Sequence, residues 1–266
     1  MQDIVLSDLE FSNFRKFIHG IAGINLSPAK KALVAGRLTK RLKAHGLTSF
    51  GEYFRLVSDE DGERQIAVDL LTTNETHFFR EPRHFELLRD RLLPERRYGQ
   101  AFRVWSAACS SGEEVYTLAM VLAEEMGDAP WEVLGSDIST RVLDKAKSGL
   151  YPMERAAELS GERLRQHCLK GVGGMDGQFL ISQRLRDRVR FAQINLTRQL
   201  PATGEFDAIF LRNVMIYFQP ETKQQVVERL LARLRPGGWL FVGHSESLNG
   251  LVGGIESVAP SVYRKP

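Results

Sequence analysis

Up to about residue 92 the apolar positions recur at the three-to-four-residue spacing of amphipathic helices. The runs SDLEFSNFRKFIHGIAGI, SPAKKALVAGRLTKRLKAHG, SFGEYFRLVS and ERQIAVDLLTTN all carry that period. Ser27 reads as an N-cap with Pro28 in the first turn behind it, and Gly46 as a stop. Pro82 opens a further helix, PRHFELLRDRLLPE, which runs into Pro94 and a polar stretch over 95–100. The expectation is a small all-helical domain over residues 1–92 and a linker over 93–99.

From residue 100 short apolar runs alternate with helical ones: AFRVWSAA, GEEVYTLAMVLAEEM, WEVLGSD, STRVLDKAKSG, RVRFAQIN, FDAIFLRN, TKQQVVERLLARL and GWLFVGHS. Alternation of this kind predicts an α/β domain with a doubly wound, mostly parallel sheet and right-handed crossovers. GIESVAPSVYRKP holds no helix, which predicts an antiparallel strand pair at the sheet edge. Residues 152–187 break the rhythm with a helical piece and two short runs around a glycine-rich turn, HCLKGVGGMDGQFLISQRL. They predict an inserted β-hairpin subdomain.

Composition narrows the function. A chain of 266 residues, 43% hydrophobic, buries a large core, and its net charge of +3 is too mild for a nucleic-acid coater. MQDIVLSDLEF is acidic where a signal peptide is basic, and no apolar run approaches the roughly 18 residues of a membrane span, so a cytoplasmic protein is expected. Cys109 and Cys168 form no CxxC pair, and the six histidines show no HxxxH or HxH spacing, so no metal is expected.

In open α/β sheets ligands sit beyond the C-terminal ends of the strands. The first such end, VWSAACSSGEE, leads through small residues and Gly112 into a helix. It lacks GxGxxG, and Glu113 and Glu114 at the helix start repel phosphate but suit a cationic group. Asp137 follows Gly112 by 25 residues, a spacing suited to a ribose diol, although it equally suits an N-cap. Asn195 either meets a base edge or caps a turn, while Arg212 and Asn213 leave an apolar strand where a charge is rarely core. Together these ends describe an adenosine-bearing ligand without phosphates and with a positive or zwitterionic tail. S-adenosylmethionine fits that description.

TTNETHFFRE (72–81), VWSAACSSGEE (104–114), GSDIS (135–139) and FDAIFLRNVMIYF (206–218), followed by LRPGG and FVGHSES, resemble the chemotaxis receptor methyltransferases, the CheR family, over the whole chain. The resemblance implies a class I methyltransferase-like fold and methyl transfer from S-adenosylmethionine to glutamate side chains on the cytoplasmic helices of bacterial chemoreceptors. Carried onto matching positions, it places Asn74, Thr76 and Arg80 against the cofactor or reaction centre. Glu114 then receives the methionyl ammonium, Asp137 the ribose hydroxyls, and Asn195 with Leu196 the adenine. Arg212 and Asn213 shape the floor, and Tyr217, which pattern alone puts in the core, stands near the methyl. Arg80 and Tyr217 are the candidates for orienting the substrate carboxylate, unless Arg80 holds the cofactor's own carboxylate. Thr72 and Glu75 have capping-box spacing, and on a helix Thr76 and Arg80 share a face. Val115 and Cys109 depart from the usual spelling, proline and alanine, without touching a side-chain contact.

Lys30, Arg37, Lys40, Arg41 and Lys43 fall on one helix face. Such charge ordinarily marks a solvated surface, but the resemblance favours docking onto acidic receptor helices, so that reversal at Arg37 and Arg41 lowers receptor methylation and spares cofactor affinity. Some family members grip a receptor C-terminal peptide with the hairpin, which here turns through Gly173 and Gly174; an ordinary turn is the alternative. A nucleic-acid methyltransferase finds no Asn/Asp-Pro-Pro-Tyr or Pro-Cys motif here, and neither nucleic acid nor membrane insertion is expected. A cofactor-binding scaffold without activity is the non-enzyme reading.

Overall fold

The computed structural model describes residues 4–97 and 99–266; Tyr98, in the expected linker, and residues 1–3 of the acidic N-terminus lie outside the described residues. Four helices open the chain: α1 (Asp8–Ala22), α2 (Lys31–Ala44), α3 (Phe50–Asp59) and α4 (Asp61–Leu71). Capping boxes start α1 (Ser7 with Glu10) and α3 (Ser49 with Glu52), each satisfying two backbone N–H groups left free by a helix start. Ser27 makes no side-chain cap; a 3-10 turn over Pro28–Lys30 precedes α2 instead. Phe14, Ile18, Leu38, Phe50 and Tyr53 are fully buried between the helices, each worth roughly 1.5–3 kcal/mol of burial.

The short α5 (Arg83–Leu87) continues through a π turn (Leu88–Leu92) into a 3-10 turn (Leu93–Glu95). Expected with the helical domain, it packs Phe85, Leu88, Leu92 and Leu93 into a different core, beside Val104, Leu118 and Phe241 of the sheet domain. The change of core therefore falls near residue 72 instead of 92, and Leu93, 2% exposed, is no linker residue.

The α/β domain follows as β1 (Phe102–Ser106), α6 (Glu113–Met126), β2 (Trp131–Asp137), α7 (Thr140–Ser148), β3 (Leu150–Pro152), α8 (Gly161–His167), β4 (Cys168–Lys170), β5 (Gln178–Ile181), α9 (Gln183–Arg186), β6 (Val189–Gln193), β7 (Phe206–Leu211), α10 (Pro220–Leu231), β8 (Leu234–Val242), β9 (Glu256–Ala259) and β10 (Val262–Arg264). The main sheet runs β6-β2-β1-β7-β8-β10-β9. Its pairs from β6 to β8 are parallel, and β10 returns antiparallel to β8 and β9, the expected edge pair. The insertion adds a second, antiparallel sheet, β3-β5-β4, in which β4 and β5 form the expected hairpin and β3 is a further strand. Among the described residues no helix is long and apolar enough to cross a membrane.

The sheet divides two cores. One holds α5, α6 and the inserted sheet; the other joins α1–α4 to the opposite sheet face through Trp105, Leu196, Met215, Phe218 and Val226. Where the helical domain meets the sheet domain, Gly23 ends α1 at φ 70°, and a Cβ there would stand 2.8 Å from Thr222 Cγ2. Ile24 bridges Phe218, and Asn25 N donates to the Tyr217 carbonyl at 2.8 Å. Only glycine permits that approach.

Candidate active site

β1, β2, β6 and β7 all point their C-terminal ends at one cleft of about 900 Å³, between the sheet edge and the helical domain. Asn74, Thr76, Arg80, Glu114, Asp137, Asn195, Leu196, Arg212, Asn213 and Tyr217 all line it. The helical half contributes Ala22 and Ile24 from the end of α1, and the irregular segment after α4 adds residues 72–76 and Arg80.

That segment is not helical: Thr72 bends, 73–77 form no regular element and 78–79 turn, so Thr76 and Arg80 share no helix face and the Thr72–Glu75 capping box does not form. Thr72 Oγ1 donates back to Asp69 O and accepts from Asn74 Nδ2. The segment is sewn to the sheet domain instead. Ser110 Oγ donates to Asn74 O (2.9 Å), Phe79 N to Thr117 Oγ1 (3.1 Å), and Arg155 Nη1 to Thr76 O (2.8 Å). Phe78 is fully buried against Tyr151 and Phe179 of the insertion.

Asp137 ends β2. One of its oxygens accepts from Ser110 N (2.9 Å) and the other from Ser139 N (3.0 Å); Ser139, by its own side chain, is the N-cap of α7. The question of cap or ligand is thus resolved against Asp137 as the cap. Burial raises its carboxyl above the ordinary value. Gly112, at φ 93°, leads into α6 where a Cβ would stand 2.8 Å from Ala146 Cβ. Two turns of chemistry meet there, since Glu114 on α6 accepts from Ser106 Oγ (2.7 Å) and from Arg212 Nη1 (2.7 Å).

Arg212, whose side chain is 2% exposed, also donates through Nη2 to Glu81 Oε2 (3.0 Å) and to the Arg80 carbonyl. A buried guanidinium needs such partners. Burial alone would raise the Glu81 carboxyl, but the charge and hydrogen bond of Arg212, with Asn213 Nδ2 and His244 N, hold it below the ordinary range. Asn213 sits at φ 57° with its N–H on Glu246 Oε2 (2.9 Å), and Glu246 also accepts from Ile216 N and Gly243 N. Among the described residues five non-glycine positions have positive φ: Ser110 and Asn213 line this cleft, Phe79 and Glu81 flank its Arg80, and Ser261 lies elsewhere. Strain of about 1–3 kcal/mol per residue is typical of positions that a site over-determines.

Asn195 is committed within the protein: its Nδ2 donates to Ile21 O (2.7 Å), and its Oδ1 accepts from Thr197 N and Oγ1. It therefore caps the turn after β6 and ties it to α1, beside Leu196 in the cleft wall. Tyr217, half-buried, lines the cleft instead of lying in the core.

The basic helix divides. Lys30, Lys40 and Lys43 are exposed. Arg37 instead donates to Leu71 O, Thr72 O (2.9 Å) and Thr73 Oγ1, and Arg41 makes a two-pronged ion pair with Glu63, itself 4% exposed and bonded to Tyr53 Oη. Both arginines are thus half-buried and engaged within the protein, unlike the three exposed lysines. Gly173 and Gly174 lie at the exposed tip of the inserted sheet, in a 3-10 turn over Gly173–Met175.

Sequence reasoning missed Glu81, Ser110, Asp69 and Glu246. Asp69 on α4 accepts from Thr140 N (3.0 Å) and Thr140 Oγ1 (2.9 Å) at the start of α7, latching the helical domain over β2. Glu81 and Glu246 stand inside the motifs FFRE and GHSES, and that position was the available signal. Their partners are too far away in sequence for spacing to show them.

The lining fits S-adenosylmethionine: Glu75, Glu114 and Asp137 stand in the cleft with Arg80 and Arg212, and Arg212 is already paired with Glu114 and with Glu81 beside the cleft, a balance of negative charge suited to a cationic ligand; alanines 107 and 108 let a ligand approach the backbone.

A family model described as the CheR methyltransferase SAM-binding domain matches residues 74–263, and one described as the CheR methyltransferase all-alpha domain matches residues 9–72. The chemotaxis protein methyltransferase of Escherichia coli (strain K12) is 45% identical over 253 residues, covering 93% of this chain and 87% of that protein. That of Salmonella typhimurium is 41% identical over 267 residues, covering 98% and 92%. Among solved structures, the glycopeptide N-methyltransferase MtfA complexed with sinefungin overlaps loosely, with a TM-score of 0.37 and 16% identity over 65% of this chain and 53% of that one. The two family models meet where α4 ends and the core changes, and the relatives match nearly end to end: the chain belongs to the CheR methyltransferase family.

Proposed function

We propose that this enzyme methylates glutamate side chains on chemoreceptor cytoplasmic domains, in the cleft described above. The observation that supports it best is that ten residues drawn from motifs far apart in the chain line one cavity. S-adenosylmethionine supplies, when bound, a methyl group activated on a sulfonium. In this reading Glu114 takes the ammonium end, Asp137 the ribose hydroxyls, and Leu196 packs on the adenine. Arg212, locked between Glu81 and Glu114, fixes the floor and does not reach the substrate.

The substrate carboxylate, with a reference pKa of about 4.3, is already ionised at neutral pH, so no general base is needed. The work left to the protein is alignment and exclusion of water. Arg80, whose Nη1 bonds Glu75 O, and Tyr217 are the cleft residues free to orient that carboxylate. Arg80→Ala and Tyr217→Phe should each slow methyl transfer to receptor fragments at saturating cofactor by about tenfold or more, as expected for lost positioning. Unchanged rates in both would refute the assignment, and weaker S-adenosylhomocysteine binding by Arg80→Ala alone would move Arg80 to the cofactor.

The exposed Lys30 and Lys40 suit an acidic receptor helix. At the other end, β4 is an edge strand with Leu169, Val172 and Met175 exposed near its turn, which supports addition of a receptor C-terminal peptide as a further strand. Calorimetric titration with such peptides should give saturable binding that proline substitution at β4 abolishes; silence would count against the tether.

A further inference from the structure

Beside the cleft, Glu81, His84 and His244 bring a carboxylate oxygen and two imidazole nitrogens within 4.8 Å of one another. His84 Nδ1 lies 3.5 Å, and His244 Nε2 3.9 Å, from Glu81 Oε2. With bonds of about 2.0–2.1 Å, a tetrahedral ion holds its ligand atoms roughly 3.4 Å apart, so small side-chain adjustments close the triangle. His84 adds a second observation: it is 1% exposed, and among the described residues neither of its ring nitrogens has a hydrogen-bond partner. Buried polar atoms rarely stay unmatched without a reason. His244, packed edge-on to His84 at 4.9 Å between ring centroids, is about half exposed and opens the cluster to solvent.

We propose that Glu81, His84 and His244 form a site for a divalent transition ion of the Zn²⁺ class, with two imidazoles, one carboxylate and an open fourth position. Sequence spacing gives no hint of it, because the histidines stand 160 positions apart, on α5 and after β8. Occupancy has a consequence for the cleft. Glu81 Oε2 is the oxygen that Arg212 now holds, and Glu81 Oε1 accepts from Asn213 Nδ2 at 3.2 Å. An ion that takes this carboxylate sets two positive charges beside the guanidinium and draws Glu81 away from both floor residues. The site is therefore inhibitory: metal and cofactor compete through Glu81. This coupling rests on the cofactor reading above; the metal site itself does not.

The test uses full-length protein stripped with EDTA and desalted. Zn²⁺ is titrated in competition with a chromophoric chelator, and Co²⁺ is followed by its visible absorption. The expected result is one equivalent bound at micromolar concentration or tighter, with His244→Ala weakening it about tenfold or more. Zn²⁺ should also weaken S-adenosylhomocysteine binding several-fold in the unmodified protein and leave that of His244→Ala at its metal-free value. No stoichiometric binding, or equal binding by His244→Ala, would overturn the site. Binding at the site with unchanged S-adenosylhomocysteine affinity would overturn the inhibitory coupling. Failure of metal-free protein to bind S-adenosylhomocysteine at all would instead overturn the cofactor reading.

Discussion

Arg37 stands in a row of basic residues, yet its guanidinium ends on the carbonyls of Leu71 and Thr72 and on the hydroxyl of Thr73. Helical periodicity places it on a charged face but carries no information about which cations fold inward, because that depends on a partner over thirty positions away. Arg37→Ala should lower the melting temperature, at a cost of about 1–3 kcal/mol for unmatched carbonyls, and weaken S-adenosylhomocysteine binding by loosening the segment that carries Asn74. Thermal unfolding and calorimetry check both, and unchanged affinity would remove Arg37 from the support of the cleft. Asn195 teaches the same lesson: its position at a strand end was legible, but the Ile21 carbonyl that engages it was not. That Asp137, Glu114 and Arg212 line the cleft was legible, because strand ends converge there and local pattern suffices to find them.

Among the elements, the segment over 72–81 is compatible with a helix start in sequence, since Thr72 and Glu75 have capping-box spacing. Tertiary hydrogen bonds to Ser110, Thr117 and Arg155 override that local option. The inserted sheet is fastened in a different way. Glu124 on α6 holds Arg163 (2.8 Å) and His167 (3.0 Å) of α8. Burial would raise the Glu124 carboxyl, but hydrogen bonds from His167 and Arg163 outweigh it and bring it down to about 2. A carboxylate with a folded value below its unfolded one contributes stability that is fully present above the unfolded value and lost as pH falls through the folded one. From a reference of 4.5, the loss should run from about pH 4.5 down to 2. Hydrogen exchange over residues 153–187 should rise across that window, and Glu124→Gln should remove the pH dependence along with the stability.

For the whole molecule, the doubly wound sheet, the helical domain and the insertion were legible from periodicity, while the ownership of α5 was not, because an amphipathic helix does not announce which core receives it. With Arg37 and Arg41 engaged inside the protein, the docking proposed above is tested at the exposed Lys30 and Lys40. Lys30→Glu with Lys40→Glu should reduce receptor methylation several-fold at low salt, less at high salt, and leave S-adenosylhomocysteine affinity unchanged. Equal methylation rates in the double variant would refute docking by this helix.

The four left-handed residues around the cleft carry one further implication. A laboratory selection for heat resistance should leave Glu81 alone: glycine there would relieve the backbone, but it would strip the buried Arg212 guanidinium of a partner and cost more than it returned. The strained conformation is thus held in place by the very charge it presents.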